Sequence, residues 1–469
     1  MKIIEMAQKI ENAGGRLYLV GGSLRDRFLQ RKNVDEDYCV TGLTAEEFQK
    51  LFPEAILRGK AFSVFDLDGK EFAMARKEKK QGKGHKDFEI ETDKKITIEQ
   101  DLSRRDITIN SMAQDVLTGE LIDPYNGKDD IENKVIRATT EKFKEDPLRV
   151  YRVARFVAEL GSDGDSENSG NSMNFCGFGN FENFENFVNF VNFVNFEIDA
   201  QTLKWMEELK EELSTLSKER VFAEFRKALA TNKPSLFFDT LQRANVLDVH
   251  FKPIAKLIGA LQPEKYHPEG DSYNHTMMVV DKAAELTTKS ELEIRYAALV
   301  HDLGKGETPK EEYPHHYNHE ERGVSIVAQF SRDIGVPTSW KKCGQVACRE
   351  HMRGGIFGRM KPSKKVDFIE RVDRSYLGLH GLQVVVNCDR ARNLEKLGKE
   401  DERKFEEYQF EKLGKKCLKE VNAAKVAKKY NIQPRERIGT KIARRKSEVD
   451  VSTVVNPLTK LLKKHIMNI

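Results

Sequence analysis

The hydrophobic period of this chain changes near residue 128, and that change limits the folds open to it. Before it, short apolar runs are separated by glycine and acidic turns: LYLVGGSL at 17–24, VDEDYCVTG at 34–42 and SVFDLDGKEFAMAR at 63–76, whose Asp68-Gly69 predicts a hairpin turn. The opening MKIIEMAQKIENAGG has the spacing of an amphipathic helix, and KEKKQGKGHKDFEIETDKK at 77–95 is charged and glycine-containing, expected as a mobile loop. Beyond residue 128 the apolar positions recur at helical spacing. DPLRVYRVARFVAEL at 146–160 predicts a helix with Asp146 as N-cap and Pro147 in its first turn. The expected fold is therefore α+β: a head with a small mixed or antiparallel sheet flanked by helices, then a mostly α-helical neck, body and tail.

A chain of 469 residues is long enough for two to four domains with real cores. No run of eighteen or more apolar residues occurs, which excludes a membrane-spanning helix. The N-terminal helix lacks the apolar core and cleavage site of a signal peptide. The six cysteines are scattered, without the paired spacing of a zinc site or a disulfide framework, so a reducing cytoplasm is the simplest compartment.

Three stretches of the head point to one chemistry. In VGGSLRD (20–26) a strand, Gly21-Gly22 and a helix start put backbone N–H groups where a phosphate can approach, and Arg25 adds a charged fork. In VDEDY, Asp35 and Asp37 fall on one face of a strand while Glu36 points away. Two adjacent carboxylates repel, and a divalent cation such as Mg²⁺ relieves the repulsion, as in phosphoryl and nucleotidyl transfer. In SRRDITINSMA (103–113) adjacent arginines, Arg105 among them, suit a helix end that presents positive charge to a triphosphate.

Taken in order, LVGGxxRD, DxD, RRDxTIN, GELIDPYNG and EDPLRVxRxARF resemble the motifs of bacterial CCA-adding enzymes, tRNA nucleotidyltransferases of the class shared with bacterial poly(A) polymerases. The resemblance runs from about residue 16 to 160 and resumes at 196. It implies that Asp35 and Asp37 hold catalytic Mg²⁺, that Gly22, Arg25 and Arg105 contact the nucleoside triphosphate, and that Arg149 and Arg152 contact base and phosphate. The implied substrates are tRNA, CTP and ATP. An intact 77–95 loop goes, in that family, with addition of the full CCA. A poly(A) polymerase of the same superfamily, using ATP alone, and an HD signalling protein with an inactive transferase are the rival readings.

Asp146 and Arg149 lie three apart at the expected helix start, hence on one face. Cytosine and adenine each offer an exocyclic amino donor beside a ring-nitrogen acceptor, and uracil and guanine reverse that order. A carboxylate only accepts and a guanidinium only donates, so the pair fits C and A and leaves groups unpaired against U or G.

Eight of the eleven histidines fall between residues 267 and 380. His275, followed by adjacent His301-Asp302 after an apolar helix, resembles the HD domain of metal-dependent phosphohydrolases. Asp389 is the candidate final acid, and His319 and His351 are further candidates to line the site. Neutral imidazoles with a carboxylate suit Ni²⁺, Co²⁺ or Mn²⁺. CCA enzymes with such a domain resemble a multifunctional subgroup that also hydrolyses 2′,3′-cyclic phosphates and 2′-nucleotides. The expected organisation is a head at 1–137, a neck at 138–160 and 196–250, an inserted low-complexity loop at 161–195, an HD body at 251–395 and a basic, tRNA-binding tail at 396–469.

The insertion carries NFENFENFVNFVNFVNF at 180–196, which with Phe175 and Phe178 makes eight phenylalanines at a spacing of three. That spacing drifts around a helix and alternates sides on a strand, so it builds no buried face. No basic residue lies in the tract to support stacking of RNA. It is expected as a tolerated loop between head and neck, with Phe196, Ile198 and Thr202 resuming the family pattern.

Overall fold

A computed structural model describes residues 1–31, 36–58, 63–80, 88–91, 93–161, 196–265, 267, 269–395, 410, 411 and 414. Asp35, residues 162–195 with most of the phenylalanine ladder, and nearly all of the basic tail lie outside the described residues. The chain divides into two compact units, Met1–Lys252 and Pro253–Ile469.

Among the described residues of the first unit, nine strands precede the helical part: β1 (Arg16–Val20), β2 (Asp37–Thr41), β3 (Ile56–Arg58), β4 (Val64–Leu67), β5 (Lys70–Met74), β6 (Lys77–Lys80), β7 (Phe88–Glu91), β8 (Ala113–Asp115) and β9 (Leu121–Ile122). Seven of them form one sheet in the order β3-β4-β5-β2-β1-β8-β9. β2 runs parallel to β5 and every other neighbouring pair is antiparallel, so the sheet is mixed. Leu17, Tyr18, Leu19 and Val20 are all buried, so the sheet is covered on both faces at this strand. The hairpin turns where its sequence says: Leu67 pairs with Lys70, and Asp68 and Gly69 both take positive φ, 54° and 75°. Phe48, Phe52, Phe65 and Phe72 pack together beside it, all buried.

Within the expected 77–95 loop, residues 77–80 and 88–91 are strands instead, while 81–87 and 92 lie outside the described residues. β6 and β7 pair antiparallel, with Lys77 opposite Glu91 and Lys79 opposite Glu89.

The helix Leu148–Leu160 starts later than expected, with Pro147 in the N-cap position. Asp146 still serves its start, because its Oδ1 accepts from the Leu148 backbone N at 3.0 Å. Eleven of its thirteen residues are buried. It belongs to an aromatic cluster with helices Lys218–Leu229 and Ser235–Arg243, in which Tyr151, Phe225, Phe237, Phe238 and Phe251 meet mostly edge-on or tilted. Each such ring stabilises the fold by about 1.5–3 kcal/mol when fully buried. Where description resumes, Phe196, Ile198 and Thr202 are buried. Ile198 pairs with Ile136 in a short parallel ladder, and Thr202 Oγ1 accepts from Ala138 N at 2.9 Å.

The second unit is helical. Its main helices are Ser272–Leu286, Leu292–Val300, His319–Asp333, Thr338–Gly355, Pro362–Asp373 and Gly378–Glu395. They close on a core that includes Val279, Ala297, Ala298, Ala347, Leu382 and Val385, where small residues let helix backbones approach. Among the described residues no helix is long and apolar enough to cross a membrane.

Candidate active site and metal centre

In the first unit a cleft of about 520 Å³ opens beside the C-terminal end of β1. Eight arginines line it (25, 76, 104, 105, 149, 152, 155 and 220) against four acids, Asp37, Asp106, Asp146 and Glu159. So many guanidinium groups in one concavity suit a polyanion with several phosphates.

The arginines are oriented by acids beneath them. The helix Ile98–Leu102 is closed at its start by a Thr97–Gln100 capping box and ends at Ser103, delivering Arg104 and Arg105 to the cleft. Asp101, only 1% exposed, takes one arginine on each oxygen: Arg104 Nη2 at 2.7 Å on Oδ1 and Arg105 Nη2 at 3.2 Å on Oδ2. Burial alone would raise the Asp101 pKa, but the two arginines outweigh it and hold the carboxyl below its ordinary value. Arg25 lies at the start of the cleft helix Gly22–Phe28, bonded to Asp26, to Asn110 Oδ1 at 3.0 Å and to Glu159 at 3.3 Å. Gly21, with φ 70°, is where glycine is required: a Cβ there would stand 2.7 Å from Arg105 Nη1. A Cβ on Gly22 would meet Arg25 only at an ordinary 3.5 Å.

Asp37 opens β2 and lines the cleft, its backbone N donating to Ser23 Oγ at 2.9 Å. Glu36 turns elsewhere, to Arg27, Lys70 and the Tyr38 hydroxyl. Bonding to Lys70, with burial opposing and Tyr38 assisting, keeps the Glu36 pKa low. Asp146, Arg149 and Arg152 reach the same cleft from the helix Leu148–Leu160 and the turn before it. Arg149 also clamps the backbone, donating to the Lys142 carbonyl at 2.5 Å and the Arg104 carbonyl at 2.6 Å. Arg152 pairs with buried Asp106 at 2.6 Å. Burial works to raise the Asp106 pKa, yet the charge and hydrogen bond of Arg152, with Asn110, bring it well below the carboxylate range.

The second unit gathers its histidines. Asp302, 1% exposed, turns its oxygens to two different groups. Oδ2 lies 3.2 Å from His301 Nε2 and 3.9 Å from His275 Nε2, and Oδ1 lies 3.3 Å from both His319 Nε2 and His351 Nε2. Asp389 Oδ1 stands 3.0 Å from His275 Nε2 and 3.8 Å from His301 Nε2. Two donor sets thus share Asp302: His275–His301–Asp302 and Asp302–His319–His351. Lys305 Nζ is 2.6 Å from Asp302 Oδ2. His275 Nε2 and Asp389 Oδ1 meet as a hydrogen bond, but His301 Nε2 and both Asp302 oxygens have no hydrogen-bond partner among the described residues. Buried polar atoms crowded without hydrogen bonds are a poor arrangement for an empty core and a good one around a cation.

Four ring orientations agree with that. Each Nδ1 has an acceptor: Glu269 Oε1 for His275 at 2.8 Å, and the carbonyls of Ala298, His316 and Ala347 for His301, His319 and His351. With Nδ1 so engaged, each ring turns its Nε2 toward the centre, and in the neutral form that atom offers a lone pair to a cation. Burial disfavours protonation of His275 and His301, but the nearby carboxylates win and raise both pKa values. The Asp302 and Asp389 carboxyls are held well below their ordinary range, burial notwithstanding, by the imidazoles and, at Asp302, Lys305. Gly304 makes the geometry accessible, because a Cβ there would stand 1.9 Å from the His319 carbonyl oxygen.

Of the expected residues, the structure brings Gly22, Arg25, Asp37, Arg105, Asp146, Arg149 and Arg152 to one cleft and His275, His301, Asp302, Asp389, His319 and His351 to one centre; Asp35 lies outside the described residues. Sequence reasoning missed the orienting groups. Asp101 was visible three and four residues before Arg104 and Arg105, and Glu269 sits six before His275. Arg220, which holds Asp146 Oδ2 at 2.9 Å from 74 residues away, left no local sign.

Comparison with known proteins agrees along the chain. Residues 17–137 match the poly A polymerase head domain, 195–258 the probable RNA and SrmB-binding site of polymerase A, and 272–374 the HD domain. Over 390 residues the chain is 35% identical to a protein of Vibrio parahaemolyticus named multifunctional CCA protein, covering 82% of this chain and 87% of that one. A protein of the same name from Stenotrophomonas maltophilia is 36% identical over 362 residues, 76% of this chain and 81% of that one. Among solved structures, a tRNA nucleotidyltransferase complexed with a primer tRNA and an incoming ATP analog has a TM-score of 0.55 at 19% identity, over 88% of this chain and 99% of that one. A CCA-adding enzyme in an apo form has a TM-score of 0.55 at 18% identity, over 98% and 90%. At those identities the two structures speak to the fold, whereas the Vibrio and Stenotrophomonas proteins match through both units; the chain belongs to the multifunctional CCA protein family.

Proposed function

We propose that this protein adds CCA to the 3′ end of tRNA from CTP and ATP, without a nucleic-acid template, and that its first unit comprises the head and neck that do so. The observation that carries this reading is the cleft itself: eight arginines, with Asp37 at one wall and Asp146, Arg149 and Arg152 at another. Mg²⁺ bound there supplies charge that acidifies the attacking hydroxyl and steadies the triphosphate.

The chain's own groups do the rest. Arg25 and Arg105, fixed by Asp26, Glu159 and Asp101, hold phosphate oxygens. The tRNA 3′-hydroxyl attacks the α-phosphorus, a new phosphodiester forms, and pyrophosphate leaves along the arginine wall. Asp146 accepts from the exocyclic amino group of C or A and Arg149 donates to the adjacent ring nitrogen. Uracil and guanine present the reverse pattern and leave both groups unpaired.

For the second unit the proposed activity is hydrolysis of 2′,3′-cyclic phosphates and 2′-nucleotides. Its donor set of four imidazoles and two carboxylates suits Ni²⁺ or another transition metal, which supplies Lewis acidity toward a phosphoryl oxygen. One protein then trims a damaged 3′ end and rebuilds it, in the cytoplasm. Two variants test the division of labour. Asp37→Ala should abolish nucleotide incorporation and leave phosphohydrolysis, and Asp302→Ala should do the converse. Loss of both activities in either variant, with the fold intact, contradicts it.

A further inference from the structure

Beside the histidine centre lies a second cavity that the proposed chemistry does not use. It measures about 380 Å³ and is walled by Leu261, Pro263, Tyr313 and Pro314, with Gln262, Glu264 and His267 as its polar members. That volume is within the range of small-molecule sites. An aromatic ring and two prolines offer flat apolar surface of the kind on which a base stacks.

Two side-chain relays join this cavity to the metal ligands. Gln262 Oε1 accepts from Lys305 Nζ at 2.6 Å, and the same ammonium lies 2.6 Å from Asp302 Oδ2. His267 Nδ1 lies 3.0 Å from Glu269 Oε1, which also takes His275 Nδ1 at 2.8 Å. Each relay is one residue long, so a molecule in the cavity is within reach of the centre. The independent sign of a ligand is Gln262 itself. It is 6% exposed, and because its oxygen takes Lys305, its Nε2 is identified as the amide donor. That Nε2 is buried without a hydrogen-bond partner among the described residues. A buried donor costs about 1–3 kcal/mol when unpaired, so one kept in a cavity wall points to an acceptor brought by a ligand.

We propose that this cavity seats the nucleoside of the phosphohydrolase substrate: the base lies against Tyr313 and the prolines, Gln262 Nε2 donates to a ring-nitrogen or carbonyl acceptor, and the ribose phosphate reaches the histidine centre. This rests on reading that centre as a phosphohydrolase. The ligand is a ribonucleotide phosphorylated on its ribose, free or at the end of an RNA.

The test compares adenosine 2′-monophosphate with glycerol 2-phosphate, which has no base, on the full-length, metal-loaded protein. Tyr313→Ala removes the stacking wall. Gln262→Glu keeps the acceptor for Lys305 and removes the donor. Each should raise KM for the nucleotide about tenfold, the scale of one lost base contact, and leave glycerol 2-phosphate within about twofold. Equal loss on both substrates, or no change on the nucleotide, overturns the proposal. A short RNA ending in the same 2′-phosphorylated adenosine distinguishes the sources, and whichever substrate has the higher kcat/KM must show the tenfold effect. If the wild type hydrolyses neither ester, the phosphohydrolase reading has failed. The cavity is then judged by calorimetric binding of adenosine 2′-monophosphate under saturating ATP, where Tyr313→Ala weakens affinity about tenfold or the proposal falls.

Discussion

Asp146 is held by Arg220: Arg220 Nη2 donates to Asp146 Oδ2 at 2.9 Å from the helix Lys218–Leu229, while Oδ1 is fixed by the Leu148 backbone N. A carboxylate oriented at both oxygens presents its remaining lone pairs in set directions, which reading a base edge requires. Arg220→Ala should therefore cost selectivity as well as rate. We expect kcat/KM for CTP and ATP to fall about tenfold, the scale of one charged hydrogen bond, and UTP misincorporation to rise relative to CTP. Unchanged UTP discrimination in single-nucleotide assays would show that Asp146 does not depend on this partner.

The Asp106–Arg152 pair gives a pH signature. The folded-state pKa of Asp106 lies below its unfolded value, so its contribution is fully present above about pH 4 and lost as pH falls below that. Asp106→Asn should destabilise the protein at pH 7 by about 1–3 kcal/mol. The gap to wild type should narrow between about pH 4 and pH 3. Urea unfolding across that range checks it, and a constant gap contradicts the assignment.

Gly21 and Gly22 should differ sharply. At Gly21 a side chain meets the Arg105 guanidinium and needs an unfavourable φ, a backbone penalty of about 1–3 kcal/mol. Gly21→Ala is expected to weaken triphosphate binding about tenfold or more, whereas Gly22→Ala stays within about threefold. Titration of a fluorescent nucleotide analogue separates them, and equal effects would remove Gly21 from its place beside Arg105.

The shared Asp302 predicts metal stoichiometry. Elemental analysis of Asp37→Ala protein, whose head site is removed, should find two ions per chain after loading with Ni²⁺, and adding His351→Ala should leave one, because its set loses a ligand while His275–His301–Asp302 keeps three. One ion in Asp37→Ala alone contradicts the two-set reading. Chelation should abolish hydrolysis.

Legibility in the sequence followed chain distance. The β4–β5 hairpin was readable because Asp68-Gly69 encodes its own turn, and β1 because a continuous apolar run needs cover on both faces. The clustering of His275, His301 and Asp302 was readable through their resemblance to the HD pattern. β6 and β7 were not, since neither short charged segment shows by itself that the other will pair with it. Arg220 and Gln262 were invisible for the same reason: each acquires its role from a partner that only folding supplies.

The most direct measurement of the central claim is the sequence added to a tRNA transcript lacking its CCA end. With Mg²⁺, CTP and ATP together, the account predicts addition of C, C and A in that order and then arrest, with two C residues when CTP is supplied alone. A run of A residues from ATP alone, or no addition under any supply, would contradict it.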